Sequence, residues 1–339
     1  MKTVMLLYGG RSYEHDVSVI TAVQIGELWQ QPYRLLPVYV RDGRWMTVRG
    51  WRRYTSYLGR VRGRGVTLVE GGVRVGGRFV PVHCALLATH GGEGEDGTLQ
   101  ALLQYHRVPY TSCDVLSSAV CMDKIVCKKV LRANGFPVVE GWEAVADATP
   151  PLPCICKPAR LGSSIGVAVA RTPDEWANAY ANALCYDQRI LAERFVEGAK
   201  EYNCAAVRDG DRVVVSAVER PAYRGDTYTF GEKYKMECRH ELPAEIPADL
   251  YTAIQDTTAR IYRALSLWGV VRVDYLYDGI RLYVNEINTI PGSLSYRMFS
   301  AVGVPMQALV SILVENARLS PSPQVDYGHL LGELVGTCK

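Results

Sequence analysis

The stretch VVRVDYLYDGIRLYVNEINTIPG, residues 270–292, constrains the fold more than any other part of the chain. Two segments alternate like half-buried strands around a short turn, yet Arg272, Asp274, Glu286 and Asn288 stand in the alternation. Side chains of a strand alternate between faces, so Arg272 and Asp274 share one face, as do Glu286 and Asn288. A two-residue turn on Asp278 and Gly279 would put Asp274 and Glu286 on opposite faces. A loop centred on Ile280 sets Asp274 opposite Glu286 and Arg272 opposite Asn288, all on one face.

Cross-strand neighbours lie about 4.5–5.5 Å apart. Two carboxylates that close repel and lose solvation unless a cation sits between them. Carboxylate and carboxamide oxygens without His or Cys suit magnesium, whose other positions go to water and phosphate oxygens. The hairpin therefore predicts a magnesium-nucleotide patch. The alternative is a surface hairpin in which Arg272 pairs with a carboxylate and the rest is solvated.

The remainder of the chain bounds this reading. Its 339 residues exceed one ordinary core, so two or three domains are expected. No segment reaches the roughly 18 apolar residues of a membrane span. The opening MKTVMLLYGG reads as a first buried strand, its apolar run too short for a signal peptide. Ten cysteines without a C-x-x-C spacing point to a reducing, cytoplasmic setting, without disulfides or zinc. A net charge of +3 does not argue for nucleic acid. The basic run RGWRRYTSYLGRVRGRG at 49–65, rich in glycine, reads as a solvated surface excursion in preference to a polyanion site.

TVMLLYGG followed by DVSVITAVQIGELWQ is strand, glycine turn and amphipathic helix, and YRLLPVYV and PVHCALLATHG add strands. That pattern predicts a parallel, Rossmann-like α/β unit. MDKIVCKKVLRANGFP is a helix closed at Gly135, and from CICKPARLGSSIGV onward the strands read as more antiparallel. Units are expected over 1–115, 116–192 and 193–339. Lys157 at a strand end, followed by Gly162, Ser163, Ser164 and Gly166, can offer a point charge and backbone N–H groups to a phosphate. In RILAERFVEGAKEY a strand-like ILAERFV precedes a loop, with Glu193 and Glu201 as polar punctuation; such a strand suits adenine and a carboxylate suits ribose hydroxyls, and ordinary surface acids are the equal alternative.

The ordered motifs YGGRSYEHDVS (8–18), HGGEGEDGTLQ (90–100), MDKIVCKKVL (122–131), KPARLGSSIGV (157–167), FGEKY (230–234) and RVD…NEINTIPG (272–292) resemble the D-alanine–D-alanine ligase family of ATP-grasp enzymes. They extend over most of the chain, closest to the branch that also holds D-alanyl-D-serine and D-alanyl-D-lactate ligases. The resemblance implies an ATP-grasp fold, with ATP held between the central and last units. ATP would phosphorylate the first D-alanine, and the amine of a second amino acid would attack the acylphosphate. It implies magnesium, as two ions with manganese a substitute, and a homodimer serving peptidoglycan precursor synthesis.

By motif, Lys124 and Lys157 resemble phosphate-contacting lysines, with Ser164 in the same loop, and Glu193 and Glu201 the adenine-side and ribose-side acids. EGAKE is one residue longer than the family's spacing, which weakens the match at Glu201. Asp274, Glu286 and Asn288 resemble the metal ligands, Arg272 the cation that stabilises the intermediate, and Gly292 an oxyanion N–H donor. Glu14 resembles the anchor of the first substrate's ammonium, and Ser163 and Tyr234 the link to a lid that includes Tyr228 and Lys233. His90 and Glu95 are expected at the substrate pocket. Retention of Tyr234 argues for an amine over a hydroxyl nucleophile. Arg297 and Met298 stand where the family has serine and leucine for the second substrate's carboxylate, which leaves D-serine or another small D-residue open. A nucleotide-binding protein without catalysis is the other class to be tested.

Overall fold

The computed structural model describes residues 1–146, 148–221 and 240–319. Every residue of Thr3–Gly9 (β1) is buried, as expected of a strand covered on both faces. The chain turns through Gly9 and Gly10, both at positive φ, into His15–Glu27 (α1). It returns as Arg34–Arg41 (β2), parallel to β1. From there the sheet departs from the parallel expectation. Arg44–Val48 (β3), Gly63–Val69 (β4), Gly72–Val75 (β5) and Arg78–Pro81 (β6) continue it antiparallel. The cause is local: Asp42 and Gly43 have φ of 51° and 74°, the two positive values a tight hairpin turn requires. Cys84–Leu87 (β7) then adds on the far side of β1, in parallel, giving the order β6-β5-β4-β3-β2-β1-β7.

Three helices follow: Thr98–Tyr105 (α2), Val115–Met122 (α3) and Lys124–Ala133 (α4). Asp123 caps α4 by accepting from the backbone N–H of Ile125 and Val126, both at 3.0 Å, and so fixes where Lys124 starts the helix. A second sheet, of Gly141–Glu143 (β8), Cys154–Pro158 (β9), Ala168–Ala170 (β10) and Ile190–Arg194 (β11), is antiparallel in the order β10-β9-β11-β8. Pro173–Leu184 (α5) packs on it through Trp176, Ala179 and Ala183.

The third sheet is also antiparallel, in the order β13-β12-β14-β15. Its strands are Lys200–Asp209 (β12), Arg212–Val215 (β13), Val270–Tyr277 (β14) and Leu282–Asn288 (β15). Ala248–Ala264 (α6) covers one face. Asp274 does lie opposite Glu286, and Arg272 opposite Asn288, but an odd-membered loop is not the reason. Tyr277 pairs with Leu282, so the loop has four residues, 278–281; Asn285 is an extra, bulged residue that shifts the register between Asp274 and Tyr275.

After β15 the chain forms Tyr296–Ser300 (α7) and Met306–Glu315 (α8). Ile290, Leu294, Phe299, Leu309 and Leu313 join the buried cluster of the first sheet, and Tyr110 and Arg318 exchange backbone hydrogen bonds of 3.1 and 3.2 Å. Residues 290–319 thus pack on the unit farthest from them in sequence.

Candidate active site

A cavity of about 330 Å³ opens where the three sheets meet. Its floor is the polar face of β14 and β15, with Arg272, Asp274, Glu286 and Asn288, next to Glu201 and Asn203 of β12. Arg272 holds Asp274 bidentately, Nε to Oδ1 at 2.6 Å and Nη2 to Oδ2 at 2.8 Å, and Asn288 donates to Asp274 Oδ2 at 3.0 Å. Burial works against the Arg272 charge, but Asp274, Glu219 and Glu286 outweigh it and its pKa rises, so the guanidinium stays charged. Glu286 faces Lys124 at 3.4 Å. Lys124 also donates to the Leu161 carbonyl at 2.9 Å, tying the start of α4 to the serine loop.

Lys157 leaves the end of β9 and donates to Glu193 and, at 3.2 Å, to Asn285. Glu193 is 1 % exposed and contacts Lys128 with its other oxygen. Desolvation opposes its charge, yet Lys128 and Lys157 together hold its pKa below the usual carboxylate value. The carboxylate expected beside adenine is thus the counter-ion of two lysines: a buried acid flanked by ammonium groups is stabilised only as long as it pairs with them. Lys128 was missed by motif reading. It stands four residues after Lys124, on the same face of α4, and that spacing was the available signal.

Glu14 closes the start of α1, and Ser163 donates to its Oε1 across the gap between the first and second units. The carboxylate threads between glycines: a Cβ on Gly91, at φ 64°, would sit 2.5 Å from Glu14 Oε2. Ser163 and Ser164 themselves have φ of 56° and 58°, a conformation that costs non-glycine residues and that clusters at ligand-binding loops.

His90 and Glu95 line the cavity, but their polar atoms are taken up by the backbone of Ile290 and Gly91 and by the Thr21 hydroxyl. Glu95 accepts from the N–H of Ile290 at 2.7 Å and of Gly91 at 2.8 Å. His90 Nδ1 donates to the Ile290 carbonyl at 2.7 Å, and its Nε2 meets Thr21 Oγ1 at 2.8 Å. Because a carbonyl only accepts, Nδ1 carries the proton and Nε2 accepts from Thr21. Thr21 Oγ1 in turn accepts from Ser293 N–H at 3.0 Å. Burial lowers the His90 pKa, which keeps this neutral tautomer, and burial with the nearby Glu14 charge pushes Glu95 up to about 8. Both residues therefore position the loop that carries Gly292, beside which, among the described residues, only Val17 comes within 4 Å of a built Cβ, at 3.8 Å.

Arg297, exposed, and Met298, buried, line the same cavity. Glu219 and His240, which motif reading did not single out, line it too and face each other at 3.4 Å. Tyr228, Lys233 and Tyr234 lie outside the described residues. Among the described residues there is no cluster of three or more His, Cys, Asp or Glu side chains able to hold a metal ion; the hairpin brings together two carboxylates, Asp274 and Glu286, and the Asn288 amide.

The oxygen-lined hairpin, the Ser163 loop of the second unit and the His90–Glu95 segment of the first meet at one cavity, and likeness to known proteins makes this an ATP-dependent ligase of the ATP-grasp fold. Residues 3–113 match the family model described as D-ala D-ala ligase N-terminus, and residues 121–315 that described as D-ala D-ala ligase C-terminus. The chain is 34% identical over 353 residues to D-alanine–D-alanine ligase A of Mesorhizobium japonicum, covering 93% of this chain and 96% of that one. It is similar in structure to the VanG D-Ala:D-Ser ligase of Enterococcus faecalis, with a TM-score of 0.82 and 27% identity over 93% of this chain and 98% of the other. The D-alanine–D-alanine ligase of Coxiella burnetii gives 0.80 and 26%, over 93% of each chain. The chain belongs to the D-alanine–D-alanine ligase family.

Proposed function

We propose that the chain joins two D-alanines with ATP, through an acylphosphate, to give D-alanyl-D-alanine. The observation that carries this is the shared cavity: Glu14 and Ser163 at one wall, Arg272 and Glu286 at the floor with Lys124 3.4 Å from Glu286, and the Gly292 loop opposite. Glu14 would anchor the ammonium of the first D-alanine. Lys124 and Lys157 would draw the transferring phosphoryl group toward that substrate's carboxylate, where the new O–P bond forms as ADP leaves. The amine of the second D-alanine then attacks the carbonyl carbon and phosphate departs with the C–O bond. Arg272 and the Gly292 N–H are suited to the oxyanion of the tetrahedral stage.

Asp274, Glu286 and Asn288 form a hard, oxygen-only donor set that fits magnesium, as one or two ions, or manganese. The metal would neutralise charge on the phosphates. Glu201, at the cavity edge, suits the ribose hydroxyls. The sheets support three units close to 1–115, 116–192 and 193–339, except that β11 carries the second sheet on to Arg194, and 290–319 fold back on the first unit. A cytoplasmic homodimer is the assembly that accompanies this reading. Among the described residues no helix is long and apolar enough to cross a membrane.

The test is phosphate release from ATP with D-alanine alone and with D-alanine paired to D-serine or D-lactate. Release with D-alanine alone, at a rate equal to or above the pairs, is expected. Much faster release with D-serine would make this a D-alanine–D-serine ligase, a reading that Arg297 in place of the family serine keeps in play. No substrate-dependent release at all would leave a nucleotide-binding protein.

A further inference from the structure

Between residues 49 and 64 the sequence has six arginines and no acid. Arg49, Arg52, Arg53, Arg60, Arg62 and Arg64 are all exposed in the structure. The ion pairs near this part of the first unit fall elsewhere, Arg41 on Asp42 and Arg107 on Glu70. The whole chain carries a net +3, so the rest of the molecule is net negative and the positive charge is concentrated on this loop. Among the described residues none of the six forms an ion pair, and like charges gathered in this way repel one another and favour an anionic partner.

The loop is built on a fixed base. Trp51 lies against Gly26 of α1, where even a Cβ would come within 2.1 Å of the ring. Tyr57 donates to the Trp51 carbonyl at 2.5 Å and its hydroxyl meets that of buried Tyr8 at 2.7 Å. Ser56 donates to the Gly50 carbonyl at 2.9 Å. With Trp51 and Tyr57 turned inward, the side chains left outside are the arginines, Tyr54 at 50 % exposure and Leu58 at 77 %.

We propose that this loop docks the protein on an anionic phospholipid surface. Arginine forks match lipid phosphates, and Leu58 with Tyr54 enters the boundary between headgroups and acyl chains. A single-stranded nucleic acid would call for aromatic platforms on which bases stack. Here two of the loop's aromatic rings are committed to its base, and its most exposed large apolar side chain is a leucine, which offers a base nothing to stack on.

The experiment is co-sedimentation of the full chain with phosphatidylcholine vesicles, with and without about 40% phosphatidylglycerol, at low and high salt. Binding to the anionic vesicles alone, weakened by salt, is expected. Each basic residue near such a surface contributes about fivefold to partitioning, so the combined Arg52→Gln, Arg53→Gln, Arg60→Gln and Arg62→Gln variant should lose at least about a hundredfold. Leu58→Gln should lose about tenfold and keep the salt dependence. None of these residues lines the catalytic cavity, so unchanged ATP turnover certifies that both variants fold. Equal binding to neutral vesicles, no binding to anionic ones, an unaffected quadruple variant, or tighter binding of a mixed-sequence RNA at the same salt would each overturn the proposal.

Discussion

Lys157 donates to Asn285 at 3.2 Å, and through this contact the bulge of one sheet reaches the lysine of another. The extra residue that brings Asp274 opposite Glu286 is also the one that steadies Lys157 between the two lobes. The proposed metal donors and the lysine proposed to face phosphate both depend on this irregularity in β15.

Asn285→Ala removes that contact and leaves the bulge. It is expected to cost about 1 kcal/mol of stability and to raise KM for ATP several-fold with a smaller change in kcat. An unchanged KM for ATP in Asn285→Ala would contradict this account.

Glu286→Gln keeps the shape of the side chain and removes one anionic donor beside Lys124. Turnover at limiting magnesium should drop about 100-fold or more, with partial recovery as magnesium is raised. Near-normal turnover at low magnesium would remove Glu286 from the donor set.

Glu95 is buried with a pKa raised to about 8. The folded state therefore keeps a proton that the unfolded chain releases near pH 4.3. Stability from this group is intact below that pH and is lost as pH rises toward 8. Glu95→Gln imitates the protonated form, so its stability relative to wild type should grow by a few kcal/mol between pH 5 and pH 8 and then level off. Chemical denaturation at several pH values reads this directly, and a constant offset between the two proteins would refute it.

The opposite sign holds for Glu193. Lys128 and Lys157 lower its pKa against the effect of burial, so its contribution is present above the unfolded value near pH 4.3 and is lost as acid protonates the folded state. Glu193→Gln leaves two ammonium groups without their buried partner and should cost about 3–5 kcal/mol at pH 7. The cost should shrink below pH 4, and ATP binding should weaken together with stability.

The alternation of Arg272, Asp274, Glu286 and Asn288 made the polar face legible, because strand parity is a rule of the backbone. The route to the register was not, since a four-residue loop plus a bulge gives the same pairing at the site as an odd loop. The Asp42-Gly43 turn was present in the sequence as a hairpin signal, yet the antiparallel arm it starts has few buried residues and an irregular alternation. Glu193 illustrates a different gap: its partner Lys128 sits on a helix of another segment, and only packing shows that the acid is enclosed. His90 and Glu95 were placed at the cavity by motif, whereas their hold on Ile290 spans about 200 residues of sequence and leaves no local trace.

The return of residues 290–319 to the first sheet has a consequence for synthesis. The apolar face that receives Phe299 and Leu309 is translated long before those side chains leave the ribosome. In a nascent chain that has completed β7 that face stays uncovered until α7 and α8 emerge, so the last segment to be made is the one that closes the first core.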